Sequence, residues 1–149
     1  MRLTELERRE YMNYVTRFDF RPYVQDKTVL VTGSKGIMGQ GVIKWLLLLN
    51  ELHGTNTRII ALTRDSERLP DYIESGDSIR YESIDKPIYI TGGGIDMNYI
   101  IHAACPTSNK VFMSQPVESL EVILHGTENM LLLAKESGAR MVYLSSEEA

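Results

Sequence analysis

Gly33, Gly36 and Gly39 recur at three-residue spacing in Thr32-Gly33-Ser34-Lys35-Gly36-Ile37-Met38-Gly39, directly after an apolar β-branched run and directly before a helical pattern. Three glycines in register exceed what a strand-to-helix turn alone needs, although glycine-rich turns also occur in domains that bind nothing. Gly33 permits the tight turn out of the strand, Gly36 lets backbone come close to a pyrophosphate without a Cβ in the way, and Gly39 lets the helix pack tightly on the sheet. The helix start then offers unpaired N–H groups and about half a positive charge. Ser34, Lys35, Ile37 and Met38 fill the same turn and share the expected contact with a dinucleotide. A mononucleotide loop fits less well, because Gly36-Ile37-Met38-Gly39-Gln40-Gly41-Val42 places valine where the phosphate-binding lysine must stand. The acidic lead-in and tight G-x-G of a methyltransferase turn are also missing.

The end of the second strand of such a fold separates NAD from NADP, an acidic group serving the ribose hydroxyl and a basic one the 2′-phosphate. Here it reads Leu62-Thr63-Arg64-Asp65. Arg64 could grip a 2′-phosphate and Asp65 could accept from the ribose, or both could be solvated surface charges, so the choice between NAD and NADP stays open at this point.

These residues need a frame to hold them. Thr28 to Thr32 reads as a strand buried on both faces, and Val42, Trp45, Leu46 and Leu49 recur at helical spacing up to Gly54, which suits the position past a helix end. Further strands are expected at Arg58 to Thr63, Ile79 to Ile84, Tyr99 to Ala104 and Arg140 to Ser145. A short helix broken at Pro70 is expected over Ser66 to Ile73, and a loop or short hairpin over Lys86 to Asn98. A long helix is expected from Pro116 to Ser137, its apolar face supplied by Val117, Leu120, Leu124, Leu131 and Ala134. Gly126 inside that helix costs about 1 kcal/mol relative to alanine, so close helix–sheet or cofactor packing is expected to compensate. Alternating strands and helices predict an α/β fold: a Rossmann-type doubly wound parallel sheet of about five strands, in residues 27–149. Residues 1–26 read as a helical extension, with Leu3, Leu6, Met12 and Val15 as a loose stripe and Pro22 as an interruption after it. It would cover the domain or a partner subunit, or simply pack on the surface.

Composition narrows the classes. The 149 residues carry a net charge of −4, with 43% hydrophobic and 24% charged residues, as in ordinary soluble domains. An acidic chain of pI about 5.4 has no general pull toward nucleic acid. A single cysteine, Cys105, excludes an internal disulfide and a thiolate metal cluster, and no metal site is expected. The longest strongly apolar run, Trp45 to Leu49, is far short of the ~20 residues that span a bilayer. A cytoplasmic protein without membrane contact is expected.

With these motifs in order, residues 27–149 resemble the extended short-chain dehydrogenase/reductase superfamily, and within it the NAD-dependent nucleotide-sugar epimerases, dehydratases and UDP-glucuronate decarboxylases. The resemblance rests on the TGSKGIMG turn, on Ile101-His102-Ala103-Ala104, on Gln115-Pro116-Val117-Glu118 with Gly126-Thr127-Glu128-Asn129, and on Leu144-Ser145-Ser146-Glu147-Glu148-Ala149. It implies that bound nicotinamide oxidises a sugar hydroxyl of a nucleotide sugar. It places Ala103 and Ala104 beside the cofactor, Ser146 at the catalytic hydroxyl, and Glu147 and Glu148 at the acid and base positions of dehydratases, although two glutamates there could equally be solvated. The adenine-side aspartate falls at Ser83, with Asp85 nearby, and Ile123 stands where an asparagine is common. The family's Tyr-x-x-x-Lys pair lies beyond the fifth strand, outside these residues. The expectation is therefore a cofactor-binding portion, truncated before the later strands and substrate domain and inactive alone, with homodimerisation through the 116–137 helix implied by relatives. A non-catalytic NAD(P)-binding sensor or scaffold is the alternative. His102 reads as a packed, hydrogen-bonded core histidine, Cys105 as a small buried filler, and Thr107 and Ser108 as the start of a loop lining the sugar site.

Overall fold

Five consecutive residues of β1 (Thr28–Thr32) are buried, which a strand achieves only when both faces of its sheet are covered. A computed structural model describes residues 1–74, 76–84, 97–105 and 109–145. In them β1 is followed by α3 (Ile37–His53), β2 (Arg58–Thr63), β3 (Ile79–Ser83), β4 (Tyr99–His102), α4 (Asn109–Ser114), α5 (Pro116–Ser137) and β5 (Arg140–Tyr143). Two helices, α1 (Glu5–Arg17) and α2 (Arg21–Val24), precede them. The sheet is parallel throughout, in the order β3-β2-β1-β4-β5. This is the doubly wound Rossmann arrangement expected from the alternating pattern, and strand order reverses at β1.

Side chains alternate across β1 and β2 and so feed two cores. Val29, Val31, Ile59 and Ala61 join Ile43 and Leu46 to Leu49 of α3 on one face. Leu30, Ile60, Leu62 and Ile100 join Met97 and, from α5, Met130, Leu133 and Ala134 on the other. The N-terminal helices add to the first core through Val15 and Val24, and Phe20 meets Trp45 edge-on with ring centroids 4.9 Å apart. Thr4 caps α1 in a reciprocal box with Glu7.

Several expectations are corrected. Ser66 to Ile73 forms bends and a turn instead of a helix, because the carbonyls of Asp65 and Arg68 are taken by the Lys35 ammonium and Pro70 supplies no N–H. Pro22 starts α2, where its missing N–H costs nothing, and so does not interrupt the chain. Leu6 is exposed while Val15 is buried, so the stripe on α1 is narrower than expected. On α5, Val117, Leu120, Leu124 and Leu131 are exposed, Ser119 is buried, and Met130, Leu133 and Ala134 pack into the core beneath the sheet. The helix has two apolar faces, and the one carrying Met130, Leu133 and Ala134 meets the strands. A Cβ at Gly126 would find no atom within 4 Å among the described residues, so close packing does not explain that glycine. The fourth and fifth strands stop two residues earlier than expected, and α4 follows the fourth.

Candidate functional site

The turn after β1 is closed by backbone. Gly36 N–H donates to the Gly33 carbonyl at 2.9 Å, and Gly33 has φ +62°, a left-handed value that disfavours any side chain. A Cβ on Gly33 would also lie 2.6 Å from the Ala103 carbonyl oxygen and 2.9 Å from Ala104 N. On Gly39 it would lie 2.8 Å from the Gly33 carbonyl carbon and 2.9 Å from Ser34 Cα. Two of the three glycines are thus demanded by contact, one against the end of β4 and one against the turn itself. Gly36 is the N-cap of α3 and offers no side-chain acceptor to the helix's first N–H groups. Those donors face the carboxyl ends of the strands, at the point where strand order reverses.

The intervening residues divide. Ile37 is 92% exposed and Met38 60%, beside the open helix start. Ser34 turns inward: it is fully buried and its hydroxyl donates to the Leu62 carbonyl at 2.8 Å, pinning the turn to β2. Lys35 reaches across the mouth to the carbonyls of Asp65 and, at 2.5 Å, Arg68. The glycine turn and the segment after β2 are thereby tied together. Thr63 ends β2, its hydroxyl accepting from Asp65 N–H at 3.4 Å, and Arg64 is exposed with no hydrogen bond or ion pair among the described residues. Ala103 and Ala104 leave β4 half-buried, next to Gly33. Gly33, Gly36, Ile37, Met38, Thr63, Arg64, Ala103 and Ala104 therefore gather at one end of the sheet. Asp85, Ser146, Glu147 and Glu148 lie outside the described residues, as do Thr107 and Ser108.

Sequence reasoning passed over Thr32. Its Oγ1 accepts from the N–H of Ala103 at 3.1 Å and of Ala104 at 3.0 Å, and lies 2.7 Å from His102 Nδ1. Only the Thr32↔His102 pairing of β1 with β4 brings them together, across 70 residues of sequence. His102 is 3% exposed, stacked on Tyr143 with centroids 5.5 Å apart, and burial holds its pKa below the ordinary value. It is the packed, hydrogen-bonded histidine expected. Cys105 is exposed, not a buried filler, because β4 has ended before it. Tyr23 and Lys27 stand four apart, with the spacing of a Tyr-x-x-x-Lys pair. They precede β1, however, and so sit at the opposite end of the sheet from the glycine turn. Among the described residues no three His, Cys, Asp or Glu side chains gather as a metal site, and no helix is long and apolar enough to cross a membrane.

A family model for the 3-beta hydroxysteroid dehydrogenase/isomerase family matches residues 30–149. The chain belongs to this family. The relatives agree with the epimerase/dehydratase resemblance read from the motifs. UDP-glucuronic acid decarboxylase 6 of Arabidopsis thaliana is 30% identical over 122 residues, covering 80% of this chain and 34% of the relative. An epimerase structure from Methanothermobacter thermautotrophicus superposes with a TM-score of 0.62 at 26% identity, covering 86% of this chain and 37% of that one. The UDP-glucose 4-epimerase of Bifidobacterium longum, solved with NAD+ and UDP, shares the fold with a TM-score of 0.60 at 20% identity, over 81% of this chain and 37% of that one. This member of the family spans about a third of the length of the curated relatives it matches.

Proposed function

We propose that residues 27–149 are the NAD-binding domain of a nucleotide-sugar-modifying enzyme, with residues 1–26 as a helical extension packed on α3. The observation that carries this reading is the mouth itself: a glycine whose Cβ would strike the end of β4, followed by a helix start with no side-chain cap. Bound NAD would supply a hydride acceptor for a sugar hydroxyl. The chain's own residues bind and orient. The N–H groups of the Gly36–Gly39 turn take the pyrophosphate, and Ala103 and Ala104 leave room beside it. Thr63 and Arg64, with Asp85, serve the adenosine end, where Arg64 keeps NADP open. Ser146 would donate to the substrate oxygen as charge develops there, and Glu147 and Glu148 would move protons as acid and base. Decarboxylase and epimerase relatives favour a nucleotide sugar as substrate. The exposed stripe of α5 is assigned to homodimerisation.

Isothermal titration of the 149-residue chain with NAD, NADP and ADP-ribose tests this reading. Saturable binding of NAD and of ADP-ribose is expected, with Arg64→Ala weakening NADP more than NAD. Heat of dilution alone for all three ligands would contradict it.

A further inference from the structure

We infer that His102 is a positioning residue for the cofactor mouth: as a neutral imidazole carrying its proton on Nε2, it aims the Thr32 hydroxyl so that Thr32 holds Ala103 and Ala104 against the Gly33 turn. The inference rests on the dinucleotide reading above and deepens it. A hydroxyl has one proton and two lone pairs. Thr32 Oγ1 already accepts the N–H groups of Ala103 at 3.1 Å and Ala104 at 3.0 Å, so its proton goes to the third neighbour, His102 Nδ1, at 2.7 Å. Nδ1 is then an acceptor, and the ring proton sits on Nε2, facing the Thr127 hydroxyl of α5 at 3.3 Å. A proton on Nδ1 would set two donors against each other and release one Ala amide. Thr32 and Thr127 bring no charge, and the ring's aromatic neighbour from β5 is Tyr143.

The dipeptide so held is the one that meets the glycine turn. Its amides are fixed by Thr32, and the carbonyl oxygen of Ala103 lies 2.6 Å from where a Cβ on Gly33 would be. The His102 carbonyl accepts from Leu144 N–H at 3.0 Å, so the same residue also sets the path by which the chain leaves β5. Losing the Thr32–His102 hydrogen bond frees the end of β4 while leaving the glycine turn intact.

The test combines 15N NMR of the histidine rings with NAD titration of the unmodified chain and of Thr32→Val, His102→Leu and His102→Asn. The His102 ring is expected in the Nε2–H form between about pH 7 and 8. Thr32→Val and His102→Leu should weaken NAD roughly tenfold and speed amide exchange at Ala103 and Ala104. His102→Asn, whose Oδ1 can stand in for Nδ1 as acceptor, should stay within about threefold of the unmodified chain. Thr32→Val is nearly isosteric and carries the test if His102→Leu does not fold. An Nδ1–H tautomer, or equal NAD affinity in Thr32→Val and the unmodified chain, overturns the positioning role alone. No NAD binding by the unmodified chain overturns the dinucleotide reading and the positioning role with it.

Discussion

Gly33 and Gly54 are both left-handed, at φ +62° and +59°, yet only Gly33 has backbone within reach of a Cβ. The pair separates conformational strain from crowding. Replacing either with alanine should cost about 1 kcal/mol of stability from the positive φ. Gly33→Ala should in addition push away Ala103 and abolish NAD binding, while Gly54→Ala leaves binding unchanged. Calorimetry and thermal melts of both variants check this. Titration gives a second prediction. Burial lowers the His102 pKa below 6.5, so the unfolded chain binds the proton more readily. The stabilising contribution is therefore complete above 6.5 and is lost as pH falls through the lower folded value. Glu7 is held at about 2, against its ordinary 4.5, by the Lys44 ammonium and the Thr4 cap, so its contribution is lost only below 4.5. Melting temperature should thus begin to fall as pH drops below 6.5, with a shallower slope in His102→Asn and, above pH 4.5, an unchanged one in Glu7→Gln. Of these residues, the glycines were legible because each stands at a strand or helix end that the apolar pattern marks. Ser34, expected at the cofactor, is committed to Leu62. The work of Thr32 depends on a partner 70 residues away that no local pattern reveals.

The helix α5 shows what periodicity can and cannot decide. Its sequence carries two apolar stripes, one through Val117, Leu120, Leu124 and Leu131, the other through Met130, Leu133 and Ala134. A helical wheel does not rank them; the sheet does, by admitting the face with Met130, Leu133 and Ala134. The residues of the other stripe stay 55–63% exposed, an apolar face of the kind that marks an association surface. Analytical ultracentrifugation should show self-association of the chain, and Leu124→Glu should reduce it without lowering the melting temperature. The strands β1 and β2 were legible to the residue, because a buried parallel strand is a continuous apolar run bounded by turns. The segment after β2 was not, since a lysine side chain from another element takes the carbonyls a helix would need.

At the scale of the molecule, the parallel order β3-β2-β1-β4-β5 concentrates the candidate groups at one end of one sheet. The glycine turn, the Arg64 segment and Ala103-Ala104 follow three neighbouring strands, so a single elongated ligand can touch all three. The N-terminal helices lie over α3 and contribute to the core without reaching that end through any described contact with the glycines, apart from Tyr11 Oη, which lies 3.7 Å from where a Cβ on Gly41 would be. The most direct measurement is a titration of NAD into the 15N-labelled chain, followed by amide NMR. Expected are saturable shifts concentrated at Gly33 to Gly39, Arg64, Ala103 and Ala104, with β-strand amides at the opposite sheet end unmoved. Shifts confined to the Tyr23–Lys27 end, or none at saturating NAD, would contradict a dinucleotide site at the β1–α3 turn.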